Sequence, residues 1–375
     1  IFLRSKFIFK NPEQNEFVIL DDTTSTSIEK ILPNKNYIII STRVEQIKEI
    51  YVSKKILFHI IKNFFKYGVK KNYLIALIKL IRPKVVVTHI HDSEDFHFIS
   101  KMMNNEITFV AIQVYSPSMF KLMFSNESKK KYFIPNFFCY GEYDQLFYQK
   151  KNVQIKNFEA VGSIKSSLTN EYVNSKKLKI NPNKYDICLI SEAQVALNAD
   201  WPHVKNLADC YGLVAEFTFK LCKKHNLNII FAGKAVKGSK AADREICFYK
   251  NFLKEYDFKI DHYDSKNAYN SYINIMQSKL TIALFSTILR EAISFEKKIL
   301  SFNTARHPDI EFPGPDIEFA QDSICVLKEP SYELFEERVL KILSMSNNEY
   351  FSKLGREKSF LMKPTINTAS VIRKK

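Results

Sequence analysis

The sequence predicts an α/β protein of two Rossmann-like domains with a cleft between them. Short apolar strands alternate with helical segments along most of the chain, as in βαβ units with parallel sheets. A polar, basic stretch interrupts this alternation near the middle. The length of 375 residues suits two domains better than one. Interdomain clefts of this kind are common ligand sites.

The first predicted domain spans residues 1–163. Its strands are expected at 17–20, 37–41, 84–90, 107–113, 137–140 and 158–161, with helices at 25–32 and 92–103. The run from Lys84 to Ile90 is continuous and rich in β-branched residues, which is typical of a buried parallel strand.

Residues 164–184 are predicted to be the interdomain linker, because they are polar and basic and contain Pro182 with several Asn and Ser residues. The second domain is predicted over 185–375. Its strands are expected at 186–190, 228–231, 259–263, 280–285, 298–302 and 324–327, with helices at 211–225, 241–256, 268–277, 332–345 and 349–362. The terminal helices are candidates for crossing back to the first half.

The composition bounds the class of protein. The net charge is +16, but Lys and Asn are abundant throughout, so only local clustering of charge indicates a partner, and we expect no nucleic acid. No apolar run reaches the roughly 18 residues of a membrane span, and no secretory signal is recognisable. The six cysteines show no CxxC pair or zinc spacing, which favours reduced thiols and a cytoplasmic location.

Charge clusters chiefly in a predicted helix within residues 50–80. Apolar residues recur there at helical spacing and lysines interleave with them: Ile56, Leu57, Ile60, Ile61, Phe64 and Phe65, with Lys54, Lys55, Lys62, Lys66, Lys70 and Lys71. Two interpretations stay open. The helix either packs on the sheet with solvated lysines and a break at Gly68, or forms a peripheral patch that contacts anionic membrane lipid.

The stretch over residues 279–303 predicts a strand, a tight turn, a helix and a second strand. Ser286 and Thr287 can cap the helix start, and Arg290 and Glu291 follow in its first turns. Ligands of open α/β sheets lie outside the carboxyl ends of strands, where such helices begin. These four residues are therefore candidates for binding a nucleotide, with capping and a solvated charge pair as the alternative.

Two other predicted strand ends in the second half open onto the same cleft. Gly233 would let a ligand approach the backbone, and Lys234 offers a charge for phosphate. Ser191, Glu192 and Gln194 end the first strand of this half. Neither GxGxxG nor a P-loop is present, which disfavours dinucleotide binding and P-loop phosphate transfer.

Histidines and carboxylates crowd the end of the third predicted strand: His89, His91, Asp92, Glu94, Asp95 and His97. We expect His89 and His91 to share one face of that strand. Helix capping by Asp92 or Ser93, acid/base chemistry and metal binding stay open from the residues alone. Asp92 is the favoured base because it lies at the strand–helix junction, with His91 beside it; we commit to no metal.

Arg306 and His307 lie in a predicted loop shaped by Pro308, Pro313 and Pro315. An Arg and a His at this place could stabilise a departing phosphate. The alternative is a surface loop whose polar side chains face water.

Several segments, taken in order, resemble a known family. They are FVILDD, KVVVTHIHDSEDF, ITFVAIQ, FFCYGE, FEAVGSIKSS, ICLISEAQ, NIIFAGK and LFSTILREAISFEKKILSFN, followed by the Arg306 loop. The pattern is similar to that of bacterial surface-carbohydrate biosynthesis proteins of the GT-B glycosyltransferase type. The strongest piece is Ser286-Thr287 followed by Glu291-Ala292 and Lys298.

This resemblance implies that Glu291 binds the ribose of a nucleotide donor, while Ser286, Thr287 and Lys234 contact its phosphates. It also implies that Arg306 is a basic site residue and that Gly162-Ser163 marks the interdomain crossing. The sequence departs from the family pattern at Gln113-Val114, where Gln-Asn-Gly is expected, and at Arg290, where an aromatic residue is common.

The function predicted from these observations is a metal-independent glycosyltransferase that needs no cofactor. Its substrate would be a nucleotide sugar, bound to the second half, and its acceptor a glycan or lipid-linked molecule, bound to the first. It would act in the cytoplasm at the inner face of the membrane, on polysaccharide or lipopolysaccharide precursors. The alternatives are a CDP-polyol phosphotransferase, a UDP-sugar 2-epimerase, or a non-catalytic membrane-associated scaffold.

Overall fold

The computed structural model describes twelve stretches of the chain. They are residues 5–22, 25–33, 36–43, 47–115, 132–149, 153–193, 204–264, 269–284, 286–304, 323–355, 357–365 and 367–375.

The first half is a parallel sheet flanked by helices. Its strands are β1 (Lys6–Ile8), β2 (Phe17–Leu20), β3 (Tyr37–Ile40), β4 (Glu49–Tyr51), β5 (Val85–Thr88), β6 (Thr108–Ile112), β7 (Tyr132–Cys139) and β8 (Val153–Ala160). Its helices are α1 (Ser25–Ile31), α2 (Lys54–Ile81), α3 (Glu94–Met103), α4 (Glu142–Gln149) and α5 (Ile164–Ser175). Within the described residues, six strands pair in the order β3-β2-β5-β6-β7-β8, and β1 and β4 form a separate parallel pair.

The second half repeats this architecture. Its strands are β9 (Tyr185–Ile190), β10 (Ile229–Val236), β11 (Ile260–Tyr263), β12 (Ser278–Ala283), β13 (Lys298–Phe302) and β14 (Val326–Leu327). Its helices are α6 (Val204–His225), α7 (Lys240–Lys250), α8 (Asn270–Met276), α9 (Thr287–Ser294), α10 (Tyr332–Ser344), α11 (Asn347–Leu354), α12 (Glu357–Leu361) and α13 (Thr368–Arg373). The described strands pair in parallel in the order β11-β10-β9-β12-β13-β14.

The predicted α/β architecture with two Rossmann-like sheets is thus confirmed. The unit over residues 279–303 is a strand, a helix and a strand, as expected. One long helix predicted at 349–362 is instead two, α11 and α12, because Gly355 ends α11 with a positive φ of 59°.

Helix α2 has a kink at the predicted break. Gly68 has φ 74° and ψ 174°, so the helical hydrogen bonds are interrupted there. Asn72 replaces part of them: its fully buried amide donates to the carbonyls of Asn63 and Gly68, each at 2.8 Å. The kink is therefore held by a specific side chain.

The predicted linker over 164–184 begins as the helix α5, capped by Ser163. Its residues Ile164, Ser166, Leu168 and Thr169 are buried, so this part is packed into the protein rather than extended between domains. The correction has a simple cause. Serine and threonine residues make the segment polar overall, yet their side chains are small enough for α5 to pack closely against α9 and α13.

The C-terminal segment crosses back to the first half. The Thr368 hydroxyl donates to the carbonyl of Val161 at 2.6 Å, and Arg373 forms an ion pair with Glu171 on α5 at 2.7 Å. Gly141 permits the crossing, because a Cβ there would lie 2.3 Å from the carbonyl oxygen of Phe360. Helix α13 therefore packs with α1 and α5, as expected for a terminal helix that crosses back to the first half.

None of the helices in the described stretches is long and apolar enough to cross a membrane.

Candidate functional site

The carboxyl ends of the two sheets meet around helix α9. Tyr140 directly follows β7, Ser163 follows β8, and both donate hydrogen bonds to Glu291 on α9, at 3.1 and 2.8 Å. The connections after β12 in one half and after β7 and β8 in the other are thus in contact. The cleft predicted between the two halves would border this contact.

Glu291 is a link between the halves. Its carboxylate also accepts a hydrogen bond from the Tyr272 hydroxyl on α8 at 2.7 Å, and the residue is 2% exposed. Burial raises the pKa of Tyr140 and Tyr272 well above the ordinary tyrosine value, and the charge of Glu291 raises them further. Both tyrosines therefore stay protonated as donors to the carboxylate.

Arg290 is buried in an ion pair across the two halves. Its guanidinium contacts both carboxylate oxygens of Asp144 on α4, at 3.2 and 2.9 Å, and donates to the carbonyl of Leu361. Both side chains are 0% exposed. Gln113 and the backbone N–H of Gly141 also donate to Asp144, so the pair belongs to a buried network. Its predicted contact with a nucleotide is wrong, because the guanidinium is enclosed by protein.

Two lysines, one from each half, are candidates for binding an anion. Lys165, in the first turn of α5, is half-buried, and Lys234, on β10, is exposed. Removal of water by surrounding groups lowers the pKa of Lys234; Glu192 opposes this effect and the charge of Lys165 adds to it. Within the described residues, neither ammonium makes a hydrogen bond or ion pair. The two ammonium groups come from opposite halves, and the charge of Lys165 disfavours the charged form of Lys234.

The start of α9 is close to this pair in the topology, since β12 and β10 flank β9 in the sheet. Ser286 occupies the N-cap position, as predicted, yet its hydroxyl makes no capping hydrogen bond. Thr287 is the first helical residue and is half-buried. An uncapped helix start offers N–H groups and a positive dipole end to an anion.

Ser191 and Glu192 follow β9, but they have different surroundings. The Ser191 hydroxyl donates to the fully buried carboxylate of Glu245, which also contacts His262 at 3.1 Å. Its predicted place in the donor site is therefore wrong. Glu192 accepts the backbone N–H of Leu284 at 2.8 Å, and its charge reaches Lys234. Through this hydrogen bond Glu192 connects the carboxyl ends of β9 and β12.

Gly233 has a packing role that the sequence did not reveal. It lies inside β10 rather than after it, and a Cβ would come within 2.6 Å of the His262 ring and 2.7 Å of Ile260. The neighbouring strand β11 excludes a side chain at this position. The predicted approach of a ligand to this glycine is therefore unsupported.

His89 presents a buried nitrogen without a partner at the end of β5. Its Nδ1 lies 2.9 Å from the carbonyl oxygen of Ile112, so Nδ1 carries the proton and Nε2 the lone pair. Nε2 has no hydrogen-bond partner within the described residues. Burial lowers the pKa of His89 to about 3, and the nearby charge of Lys165 lowers it too. The ring is a neutral acceptor close to Lys165.

The other polar residues of this turn are more enclosed than predicted. Strand β5 ends at Thr88, so His89 and His91 do not share a strand face. His91 is 0% exposed and stacks on Tyr115 at 4.6 Å between ring centroids, which places it inside the core and argues against a catalytic role. Ser93, not Asp92, caps α3. Asp92 accepts the Tyr115 hydroxyl at 2.5 Å and is 7% exposed.

His97 packs within α3, where its Nδ1 contacts the carbonyl of Phe133 at 3.0 Å, and Asp95 pairs with Lys70 at 2.7 Å. In the described part of the chain, no group of three or more His, Cys, Asp or Glu side chains is arranged to hold a metal ion. The predicted residues Gln194, Arg306 and His307 lie outside the described residues.

Comparison with solved structures identifies the fold. UDP-GlcNAc 2-epimerase from Neisseria meningitidis, bound to UDP-GlcNAc, is similar with a TM-score of 0.55 and 12% identity, over 96% of this chain and 98% of that one. The putative UDP-N-acetylglucosamine 2-epimerase from Listeria monocytogenes is similar with a TM-score of 0.53 and 10% identity, over 96% and 95%. The chain has the GT-B fold. An S. aureus MnaA–UDP complex is similar with a TM-score of 0.50 and 11% identity, over 96% and 95%. No protein-family model and no curated protein matches this chain.

Within this GT-B fold, two residues of the resemblance have structural partners. The ribose role implied for Glu291 would require a sugar hydroxyl to displace a tyrosine or serine hydroxyl from a buried carboxylate. Lys298 lies at the start of β13 and donates to the carbonyls of Ile342 and Met345 at 2.8 and 2.6 Å, so it caps α10. We therefore assign both residues to holding the GT-B fold together.

Sequence reasoning missed Lys165 and Asp144. Lys165 stands in a segment that we interpreted as a linker; the signal available was its position directly after a strand and a helix-capping Ser163. Asp144 had no local signal, because it is one of 40 acidic residues and only the fold pairs it with Arg290.

Proposed function

We propose that this protein is a glycosyltransferase that binds a nucleotide-activated sugar with the diphosphate between Lys165 and Lys234. The observation that carries the proposal is this pair of ammonium groups, which extend from opposite halves and have no partner in the described residues. A diphosphate would neutralise their repulsion and connect the two halves. The backbone N–H groups at the start of α9, where the Ser286 hydroxyl makes no capping hydrogen bond, would bind a further phosphate oxygen.

In the reaction we propose, the acceptor hydroxyl attacks the anomeric carbon, and the bond from that carbon to the diphosphate oxygen breaks. Asp92, at the carboxyl edge of the first sheet, takes the hydroxyl proton. Lys165 and Lys234 stabilise the negative charge that develops on the departing diphosphate. Electrostatic stabilisation of this kind is usually the largest contribution to the rate enhancement.

The acceptor in this proposal is a glycan or lipid-linked precursor of surface polysaccharide, bound to the first half. The enzyme acts in the cytoplasm at the inner face of the membrane. Closing of the two halves would exclude water, so that the sugar is transferred rather than hydrolysed.

A second candidate is a UDP-sugar 2-epimerase. Carboxylates and a neutral histidine lie at the strand ends that border the cleft (Asp92, Glu192 and His89), and such groups can move a proton on and off a sugar carbon. An epimerase would change the sugar configuration without needing an acceptor.

A thermal-shift screen with UDP, GDP, CDP and CMP tests nucleotide binding. The cognate nucleotide at about 100 times its dissociation constant should stabilise the fold by roughly 2.7 kcal/mol. Incubation with the matching nucleotide sugar and acceptor should then release nucleoside diphosphate, and Asp92→Asn should slow this step. Conversion of the sugar to its epimer without an acceptor would favour the second candidate. No stabilisation by any of these nucleotides would contradict both.

A further inference from the structure

Helix α2 carries an uncovered apolar ridge, most of which lies before Gly68. Six of the thirteen large hydrophobic side chains exposed in the described residues belong to this helix: Leu57, Phe58, Ile61, Phe64, Phe65 and Val69. Phe65 is 100% exposed and Ile61 74%. The five residues before Gly68 recur at spacings of three and four, so they form one stripe, and Val69 follows directly after the kink. An apolar stripe of this size on a monomer marks a contact surface.

The charge around the ridge has a single sign. Helix α2 contains seven lysines and no acidic residue, and no Asp or Glu occurs from Val52 to His91. Lys54, Lys55, Lys62 and Lys66 are exposed beside the apolar stripe. Apolar side chains with flanking lysines are the combination that binds an anionic bilayer surface.

The protein holds α2 on both sides of the ridge. Ile56 is buried and anchors the start of α2, while the part after Gly68 is buried from Leu74 to Ile78. Asn72 holds the kink by donating to the carbonyls of Asn63 and Gly68. The start of the helix is capped as well, because the Ser53 hydroxyl accepts the N–H of Ile56. The ridge therefore belongs to a helix with a defined start and a defined kink.

A cavity of about 600 Å³ lies beside the ridge, between α2, β3 and β4. Isoleucine and leucine side chains form much of its wall: Ile38, Ile39, Ile40, Ile47, Ile50, Leu74, Leu77 and Ile81. Val69 belongs both to the ridge and to the cavity wall, so the two features are continuous. The bordering lysines Lys48 and Lys70 pair with Asp22 and Asp95, at 3.5 and 2.7 Å. Ser41, Thr42, Glu49, Tyr51 and Tyr73 complete the lining, so the cavity has a large apolar part, which suits a hydrocarbon chain, and a polar part.

We propose that this face of α2 docks on an anionic lipid bilayer and that the cavity takes one acyl chain of an anionic lipid. The charge decides the occupant. A second copy of this chain docked on the same face would place two lysine-rich helices against each other, whereas anionic head groups complement them. This docking is independent of the proposed transfer reaction, because it uses neither Lys165 nor Lys234.

Co-sedimentation with vesicles tests the docking. The protein should bind vesicles of phosphatidylglycerol and phosphatidylcholine at least tenfold more tightly than vesicles of phosphatidylcholine alone. The triple variant F58S/I61S/F65S, and separately K54Q/K55Q/K62Q/K66Q, should each lose at least tenfold in binding. Leu334→Ser, which changes an exposed apolar residue on α10, is the matched control and should bind like the wild type. Unaltered binding by both multiple variants, or a stable dimer in light scattering that the triple variant abolishes, would overturn the proposal.

Monomeric lipid tests the cavity separately. Short-chain phosphatidylglycerol below its critical micelle concentration should bind at 1:1 stoichiometry in titration calorimetry, and glycerophosphoglycerol without chains should not. Ile47→Trp, which places an indole in the cavity wall, should weaken the chain-bearing lipid at least tenfold. All variants should keep wild-type nucleotide affinity, so failure here is distinguishable from failure of the proposed function. Equal binding of the lipid by wild type and Ile47→Trp would overturn the cavity assignment.

Discussion

The Arg290–Asp144 pair shows how a charge can be tolerated at 0% exposure. Bidentate contact with Asp144, the carbonyl of Leu361 and the faces of Tyr140 and Tyr143 replace the water that the guanidinium loses. Breaking such a pair leaves one charge buried without compensation, which costs more than the pair gains. Arg290, which the sequence analysis proposed for nucleotide binding, thus stabilises the contact between the two halves.

Arg290→Met should therefore lower the free energy of unfolding by about 3–5 kcal/mol, because Asp144 loses its buried counter-charge. Urea denaturation followed by far-UV circular dichroism measures this loss. Arg373→Ala, which breaks the partly exposed pair with Glu171, is the control and should cost less than about 1 kcal/mol. Equal losses for the two variants would contradict the assignment.

His97 makes stability depend on pH. Burial lowers the pKa of His97 to about 4, whereas the unfolded chain titrates near the ordinary value of 6.5. The unfolded state therefore binds more protons below pH 6.5, and stability is full above that pH and is lost as the pH falls toward 4. Between pH 6.5 and 5 this one ring contributes a loss of about 2 kcal/mol.

Comparing the wild type with His97→Asn at pH 7 and pH 5 isolates this effect. The asparagine amide can still donate to the carbonyl of Phe133, but it takes up no proton. The variant should lose less stability than the wild type over this interval. An identical pH dependence of the two proteins would show that His97 does not titrate in this range.

At the scale of elements, the predictable features were those with a local cause. Strand β2 and strand β13 were predicted with their observed bounds, because each is a short apolar run between turn residues. The kink in α2 was predicted from Gly68 alone, since only glycine adopts φ 74° without strain. Packing of α5 could not be predicted, because its polarity is local while its burial depends on α13, more than 190 positions later.

The kink itself gives a test at this scale. Asn72→Leu has a similar size but cannot donate, so the carbonyls of Asn63 and Gly68 lose their partner. The expected loss is about 1–3 kcal/mol of unfolding free energy, the range for leaving buried polar groups unsatisfied. Gly68→Ala has open space around the new methyl group and should lose only the ordinary strain of a positive φ. Scanning calorimetry compares the two; a neutral Asn72→Leu would contradict this role.

At the scale of the molecule, the two halves meet through buried polar contacts. The architecture of two Rossmann-like halves followed from the alternation of strands and helices, and the GT-B type from the family resemblance. The residues that form the contact between the halves could not be predicted. Tyr140, Ser163 and Tyr272 come from three separate parts of the chain, and only the fold brings them to Glu291.

Glu291→Ala tests this junction. It should lower the melting temperature and increase amide exchange in α5 and α8, because three buried hydroxyls lose their acceptor. The affinity for nucleotide should change by less than threefold, since the carboxylate lies in the contact between halves. A large loss of nucleotide affinity without loss of stability would instead support the ribose role implied by the family resemblance.

The most direct test of the central claim is the dissociation constant of the cognate nucleoside diphosphate, measured by titration calorimetry for Lys165→Ala, Lys234→Ala and the double variant. Lys254→Ala is the control, an exposed lysine in the connection before β11, at the amino ends of the strands, whereas the proposed site lies at their carboxyl ends. Our account predicts that each cleft variant weakens binding at least tenfold, or about 1.4 kcal/mol, while the control binds like the wild type. Affinities of both cleft variants within twofold of the wild type would contradict a diphosphate site between these lysines.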